Sequence, residues 1–582
     1  MFLVMASRAG VAESPVLPHM RSMQLADLQM RAGWDGDGFQ WHEDPEGWSL
    51  SQGLVAHGRP VPGVMRVEIV FRRQDMTMTA RISSVAGVPV YYHESPSGGL
   101  VLGSRVQLLR GAGVPIEEDA AALPEFLTYR SLLAPATLFR NIKRVPQGGV
   151  LTCCFRAGRP DVRLASLADR LKPGNSNGGD LDGHVAALTG CLDQTIRPLA
   201  AIPDRVAMLL SGGIDSSILC RLAGRDLGLR NTISTGYSFE SAAGNVERSY
   251  ALSAAQAMGF NHTYYESTTP QYLAGLVESI ALVEGPVNHL QSVCMHLMLK
   301  HGIDASRDVV LQGLGAGGCV GNFRNFLFLR DKPWARRLAA APFFQLLSLV
   351  PPLTGRGGVF LGKLRDLRNP LPLDDPGNPI WKWHQYGDAE WVGRHFNVSP
   401  RDIAARHIER VRQLGAASLY DAWALYSLLS DEEATVAIWS LIADGNGKTF
   451  YFPFYDEAFL QYALQIPWSV KLGATENVLR KNIARGLGVP GFVLDRRKTG
   501  FGIRRDDWAL EGGVFDPLAR LAAGVVGGKE MQALRSRDPK KAMLFWNFVN
   551  YALWKRICID GEPPQDLCAA VTAAAPAAGK AG

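Results

Sequence analysis

Arg205-Val-Ala-Met-Leu-Leu-Ser-Gly-Gly-Ile-Asp-Ser-Ser217 is the stretch from which the fold is read. Val206, Ala207, Met208, Leu209 and Leu210 are continuously apolar, the pattern of a strand covered on both faces. A Ser-Gly-Gly turn follows, and a hydroxyl-rich helix start is expected just beyond it. Gly212 and Gly213 let backbone N–H groups turn toward an anion with no side chain in the way. Ser211, Ser216 and Ser217 add hydroxyl donors, and the helix's positive end points at the same spot. Asp215 is the one carboxylate in this nest. Alone among donors it would oppose an anion, so it is assigned to hold Mg²⁺. An ordinary strand–turn–helix corner has no need of this concentration of glycine, serine and one inserted acid.

Outward from the loop, the length of 582 residues implies two or three domains. With 47% hydrophobic and 20% charged residues, the composition is that of a soluble globular chain. A net charge of +6 is mild over this length, and no long Lys/Arg run predicts a nucleic-acid partner. The eight cysteines show no CxxC pair. The adjacent Cys153 and Cys154 suit a strand, which fits a reducing, cytoplasmic location and argues against a structural metal. Met1–Arg8 has too short an apolar core for a signal peptide. The apolar run Phe343–Val350 ends at Pro351 and Pro352, so no membrane span is expected.

Residues 1–155 alternate in short segments separated by turn residues, as in a mostly β domain, with strands predicted over Val67–Arg72 and Gly99–Leu102. Lys172-Pro-Gly-Asn-Ser-Asn-Gly-Gly-Asp180 is the clearest linker. Beyond it the order helix, strand, loop, helix, strand predicts an α/β domain with a parallel sheet. The expected division is a domain at 1–170, a linker at 171–182, a second domain at 183–565 and a disordered tail at 566–582, Ala/Gly/Pro-rich from about Ala569.

Ser211–Ser217 resembles the SGGxDSS pyrophosphatase loop (PP-loop) of enzymes that split ATP into AMP and pyrophosphate. These include asparagine, β-lactam, GMP and NAD synthetases and several tRNA-modifying enzymes. The resemblance extends further. Gly87-Val-Pro-Val-Tyr-Tyr92, Gly103-Ser104, Phe126-Leu-Thr-Tyr129 and Ala136–Gly149 look like the N-terminal half of asparagine synthetase B. Phe452-Pro-Phe-Tyr-Asp456 resembles that family's PFLD segment, and Arg496-Arg-Lys-Thr-Gly-Phe-Gly502 its RxKxGFG segment. The likeness runs from about residue 60 to residue 510. It implies an α/β and α+β two-domain protein: an N-terminal Ntn-hydrolase-like glutaminase sandwich, here degenerate, and a C-terminal PP-loop α/β synthetase domain that uses ATP and Mg²⁺.

The chain departs from that family in places that bear on chemistry. The family's glutaminase nucleophile is a cysteine directly after the initiator methionine. Position 2 is Phe2, and none of the fourteen methionines precedes a cysteine. The N-terminal domain is therefore expected to be a scaffold that releases no ammonia. Asp308–Gly321 replaces a segment that in asparagine synthetase reads roughly LSGEGADELFGG. Leu314 stands where a glutamate assists ammonia attack and where β-lactam synthetases carry a tyrosine. Gly317 stands for the aspartate that is the second Mg²⁺ ligand, and Gly318 for the next glutamate. Gly313-Leu-Gly-Ala-Gly-Gly318 matches GxGxxG, but its position argues against a dinucleotide site. Gly313 and Gly315 are read instead as pocket wall. Thr449 and Tyr451 replace the family's glutamate and arginine, which suggests an acceptor pocket rebuilt with aromatics.

Lys498 is the catalytic residue implied by the resemblance, neutralising charge that grows on the adenylate and departing phosphate. Arg496, Arg497, Arg504 and Arg505 are secondary. Ser234, Gly236 and Tyr237 are placed near adenosine. Asp456, His262 and His289 read as structural or ordinary residues. Glu247, Glu284 and Asp444 are weak candidates for replacement metal ligands. The basic, Pro-rich insertion at 330–373 is equally readable as a partner site or a solvated helical cover.

This profile is most similar to that of lasso-peptide cyclases (macrolactam synthetases). The expected substrate is a precursor (core) peptide whose Asp or Glu side chain is adenylated and joined to its own N-terminal amine, with a leader peptidase as partner. A β-lactam synthetase-like enzyme acting on a small amino acid, and a non-catalytic scaffold of a biosynthetic complex, remain as alternatives.

Overall fold

The computed structural model describes the chain except for residues 9–16, 26, 37, 57–58, 157–159, 175–176, 238–241, 316, 321–383, 474–475, 497–504 and 576–582. The insertion at 330–373 and Lys498 thus lie outside the described residues. Period-two alternation in the first part produces β1 (Phe2–Ser7), β2 (His19–Leu25), β3 (Leu28–Trp34), β4 (Phe39–Asp44), β5 (Gly47–Ala56) and β6 (Arg59–Arg72). There follow β7 (Thr77–Ile82), β8 (Val90–Glu94), β9 (Leu100–Gly103), β10 (Lys143–Val145), β11 (Val150–Cys154) and β12 (Asp161–Ala165). They pair antiparallel in two sheets, ordered β10-β8-β9-β1-β3-β2 and β12-β11-β7-β6-β5-β4.

The two sheets pack face to face. Phe2, Val4 and Ala6 of β1 enter a core shared with Trp48, Ile69 and Phe71 of the other sheet. The alternate residues Leu3 and Met5 face the opposite way, into the larger core of the C-terminal half. One face of this sheet is therefore sandwich and the other is interface. Phe2 is fixed at both ends of its peptide: its N–H donates to Ser104 Oγ (3.0 Å), and its carbonyl accepts from Ser104 N (3.1 Å).

The second half contains β13 (Val206–Leu209), β14 (Asn231–Tyr237), β15 (Asn261–Ser267), β16 (Val309–Leu311) and β17 (Thr449–Tyr451), all parallel, in the order β15-β14-β13-β16-β17. Helices Ile214–Asp226 and Ala242–Met258 carry the chain from β13 to β14 and from β14 to β15. The chain then returns past β13 to lay β16 on its other side. Such a reversal opens a crevice outside the carboxyl ends of the two diverging strands, where open parallel sheets receive ligands. Here those strands are β13 and β16.

Two boundaries differ from expectation. Asp180 caps the helix Leu181–Ile196 through a bond from Gly183 N (2.9 Å), so the linker ends before residue 182. It is also docked rather than free. Lys172 and Gln461 exchange two 2.9 Å bonds, and Gly174 N donates to Leu464 O (3.4 Å). The tail expected to be disordered from residue 566 instead begins as the helix Pro564–Ala573. Leu567 and Val571, four residues apart, give this Ala-rich segment a buried face on the helix Thr269–Val283. Among the described residues no helix is long and apolar enough to cross a membrane.

Arginines of the first half meet carboxylates of the second. Arg144 binds Glu433 with two bonds (2.6 and 2.7 Å), and Gln147 N donates to the same carboxylate (3.1 Å). Arg130 donates to Asp431 (2.6 Å) and lies 3.6 Å over the Tyr386 ring. Arg66 and Arg105 both hold Asp444, at 2.8 and 2.7 Å. Glu284 accepts from Val106 N (2.7 Å) and Gln107 N (2.9 Å), closing the start of the helix Val106–Gly111. Glu284 and Asp444 are therefore interface acids rather than replacement metal ligands.

Candidate functional site

Gly212 has φ +70, and a Cβ there would sit 2.7 Å from the Tyr250 carbonyl, so the turn after β13 accepts only glycine without a shift. Gly213 is the N-cap of the helix Ile214–Asp226, whose first N–H groups open toward the crevice. Ser216 Oγ donates to Gly213 O (3.1 Å) and accepts from Ser211 N (3.2 Å), locking the turn from inside. Ser211 is exposed at the tip. Ser217 Oγ is buried and has no partner among the described residues. The opposite wall is the segment after β16. A Cβ at Gly313 would lie 3.0 Å from Ser216 N and 3.1 Å from the Asp215 carbonyl carbon, so this segment packs at its glycine against the first turn of the helix Ile214–Asp226. Gly315, at φ +122, sits against Tyr455.

Two arginines from the C-terminal part reach this turn. Arg480, on the helix Val478–Gly486, places Nη1 2.9 Å from each carboxylate oxygen of Asp215. Arg496 donates to Ser211 O (2.8 Å), stacks over the Tyr250 ring at 4.5 Å and pairs with Glu247. Glu247 is thus committed to Arg496, which removes the third candidate for a replacement ligand. Arg496, secondary in the sequence reading, touches the loop directly; Arg497, Lys498 and Arg504 lie outside the described residues.

Glu432 was not visible as a site residue. It follows Asp431 at the start of the helix Asp431–Gly445 and so resembled ordinary first-turn acidity. Its Oε1 accepts from Gly318 N (2.9 Å), and a Cβ at Gly317 would lie only 2.7 Å from that same oxygen. Its Oε2 is sealed from solvent with no partner among the described residues. Burial pushes this carboxyl up to about 7; Asp431 and Asp215 reinforce the rise, while Gly318 N–H and Arg480 oppose it. Lys471 is a second group the sequence reading passed over. It is 1% exposed, its Nζ lies 4.2 Å over the Trp468 ring, and burial pulls it down to about 8 beside Cys319.

Other predicted residues fall into place differently. Ser234 shares a 2.8 Å bond with His262 Nε2, and Thr232 shares one of 2.9 Å with Nδ1, so the Ser234 hydroxyl is spent within the sheet. A Cβ at Gly236 would meet the Tyr264 hydroxyl at 1.8 Å, so the space beside it is filled by that ring. Tyr237 donates to Thr269 Oγ1 (2.7 Å). Thr449 and Tyr451 do not line an open acceptor pocket: both are buried in β17, and the Tyr451 hydroxyl donates to Thr195 O (2.6 Å). Asp456 accepts from Ala458 N and Phe459 N (both 3.0 Å) as the cap of the helix Glu457–Gln465, a structural role. Leu314 is partly buried against the core.

Burial holds the His262 imidazole down at about 4. A histidine whose folded pKa is depressed contributes stability above its unfolded value of about 6.5 that is lost as pH falls toward the folded one. Thermal midpoints should therefore drop between pH 7.5 and pH 5, and His262→Asn should drop less, with the buried His384 accounting for part of what remains. An identical pH slope in wild type and variant would remove His262 from this account.

Fold and loop together define an α/β protein with a glycine-cornered turn and a helix N-terminus at the carboxyl end of β13, beside β16. A family model described as asparagine synthase matches residues 192–525, and the chain belongs to the asparagine synthase family. It is 24% identical over 437 residues to a Bacillus subtilis (strain 168) protein named glutamine-hydrolyzing asparagine synthetase 1, covering 72% of this chain and 65% of that one. It is also 24% identical over 513 residues to proteins of Mycobacterium bovis and Mycobacterium tuberculosis named "Putative asparagine synthetase (glutamine-hydrolyzing)". Those matches cover 81% of this chain and 74% of the relatives. The chain thus spans slightly less than two thirds of the Bacillus relative.

Proposed function

We propose that the chain is an ATP-dependent, AMP-forming ligase that closes an amide within one peptide substrate, as lasso-peptide cyclases do. The observation that carries this reading is the glycine-cornered loop at the β13–β16 crevice. It offers free helix N–H groups, hydroxyls and one acid to a polyphosphate.

The uncapped helix N-terminus at Gly213 and the orphaned Ser217 hydroxyl fit a bound phosphate chain, and Asp215 fits the Mg²⁺ that accompanies it. When bound, the ion offsets phosphate charge during displacement of pyrophosphate. In the reaction, a carboxylate oxygen of the peptide attacks the α-phosphorus of ATP and pyrophosphate leaves. An amine of the same peptide then attacks the acyl adenylate carbonyl, AMP leaves, and the amine gives up its proton. The Ser211–Ser217 loop grips the departing phosphates, and Arg496 fixes the loop through the Ser211 carbonyl. Lys498, two residues further on, is the proposed stabiliser of the adenylate charge.

Two features favour an amine carried by the substrate over ammonia. Phe2, packed into the sandwich core, stands at the position where the family resemblance places a thiol, and Leu314 is apolar where that resemblance places an acid. Holding both reacting groups on one chain supplies the effective concentration that an ammonia source otherwise provides. A leader peptidase that frees the amine is the expected partner, and the cytoplasm the expected location.

The test incubates the purified protein with ATP, Mg²⁺ and peptides bearing a free N-terminal amine and an internal Asp or Glu. AMP formation should accompany loss of one water from the peptide mass. ATP–pyrophosphate exchange with small amino acids alone would move the reading to the β-lactam synthetase-like alternative. Absence of AMP with every peptide would leave the scaffold reading.

A further inference from the structure

We propose that Glu432 supplies, with Asp215, the second carboxylate of a divalent-cation site at the β13–β16 crevice, and that the glycine at 317 exists to admit it. This inference rests on the nucleotide-phosphate reading of the Ser211–Ser217 loop.

Three observations converge on Glu432. The first is spatial: a side chain at 317 would start 2.7 Å from Glu432 Oε1 and would push this carboxylate out of its present place. The loop carries Gly317 and Gly318, and the helix carries the carboxylate. The second is the division of labour between its oxygens. Oε1 is oriented by the Gly318 N–H at 2.9 Å, while Oε2 is sealed from solvent without a donor among the described residues. A buried carboxylate oxygen left unpaired is costly, and a cation that arrives with a ligand removes that cost. The third is competition at Asp215. Both of its oxygens face Arg480 at 2.9 Å, so a cation held there shares its ligand with a guanidinium. A second carboxylate restores the charge that sharing removes, and Mg²⁺-type ions bound with phosphates commonly take one or two.

The alternative is that Glu432 merely caps Gly318. Glu432→Gln separates the two, because the amide oxygen still accepts from Gly318 N while the charge is gone. Gly317→Ala is the second probe: its methyl intrudes on the carboxylate without removing any charge. Mn²⁺ binding is followed by electron paramagnetic resonance on the full chain, with α,β-methylene-ATP present. Wild type should bind Mn²⁺ with the analogue, and both variants should bind it about tenfold or more weakly. Wild-type affinity in both variants, with binding lost in Asp215→Asn, would overturn the assignment of Glu432 and leave the loop reading intact. Absence of Mn²⁺ binding in wild type with the analogue would overturn the nucleotide reading itself, and this site with it.

Discussion

Replacing Asp215 with asparagine is expected to lower ATP-dependent AMP formation at least about a hundredfold while leaving the fold in place. Asn retains an oxygen to accept from Arg480, so the guanidinium, whose side chain is 12% exposed, keeps a partner. Alanine would confound two effects, since it would also strand that buried cation. What asparagine removes is the negative charge at the first turn of the helix Ile214–Asp226. That acid is unfavourable beside phosphate unless a cation joins them. Rates are measured as AMP released, with circular dichroism and a thermal melt as controls for folding. A variant as active as wild type would end the role of Asp215 as a cation ligand. Loss of activity together with loss of the melt would point to the Arg480 pair as a structural element instead.

The second large effect is expected at the interface between the halves. The side chains of Arg144 and Glu433 are 11% and 5% exposed and form a two-pronged pair. Burial would lower the Arg144 pKa, and the charge and hydrogen bonds of Glu433 more than offset it. Removing one member strands the other, so Arg144→Met or Glu433→Met alone should each destabilise by about 3–5 kcal/mol. The double variant Arg144→Met/Glu433→Met should recover most of that loss, because apolar side chains of similar length fill the space without desolvated charge. Denaturant melts of wild type, both single variants and the double variant close the cycle. Single variants as stable as wild type would show that water reaches the pair.

Much of this architecture is local and therefore legible in sequence. Five apolar residues ahead of Ser-Gly-Gly can scarcely be anything but a buried parallel strand feeding a turn. The two strands predicted at Val67–Arg72 and Gly99–Leu102 lie within or overlap β6 and β9. The docked linker was illegible because its partners, Gln461 and Leu464, lie almost three hundred residues away in sequence. Glu432 escaped for the same reason. It is 114 residues from the Gly318 amide it accepts from, and an acid in a helix's first turn has a sufficient local explanation. The error at Tyr451 had another origin. A tyrosine replacing an arginine suggests a new pocket wall, but its neighbours Phe450 and Phe452 are wholly buried and carry it into the core. Likewise Ser234, placed near adenosine from sequence, has its hydroxyl bonded to His262, which β15 brings beside it.

Asp431, Glu432 and Glu433 are consecutive, yet they answer to different bodies. The first is held by Arg130 and the third by Arg144, both from the N-terminal half, while the middle one meets the glycine loop. The flanking pairs act like two fingers on either side of a string: they fix the pitch at which the middle acid is presented. A half that carries Phe2 in its core in place of a thiol would, on this wiring, still tune its neighbour. Truncating it would detune the crevice even if the remaining domain folded, and this offers a physical reason for keeping the sandwich attached, whatever chemistry it has of its own.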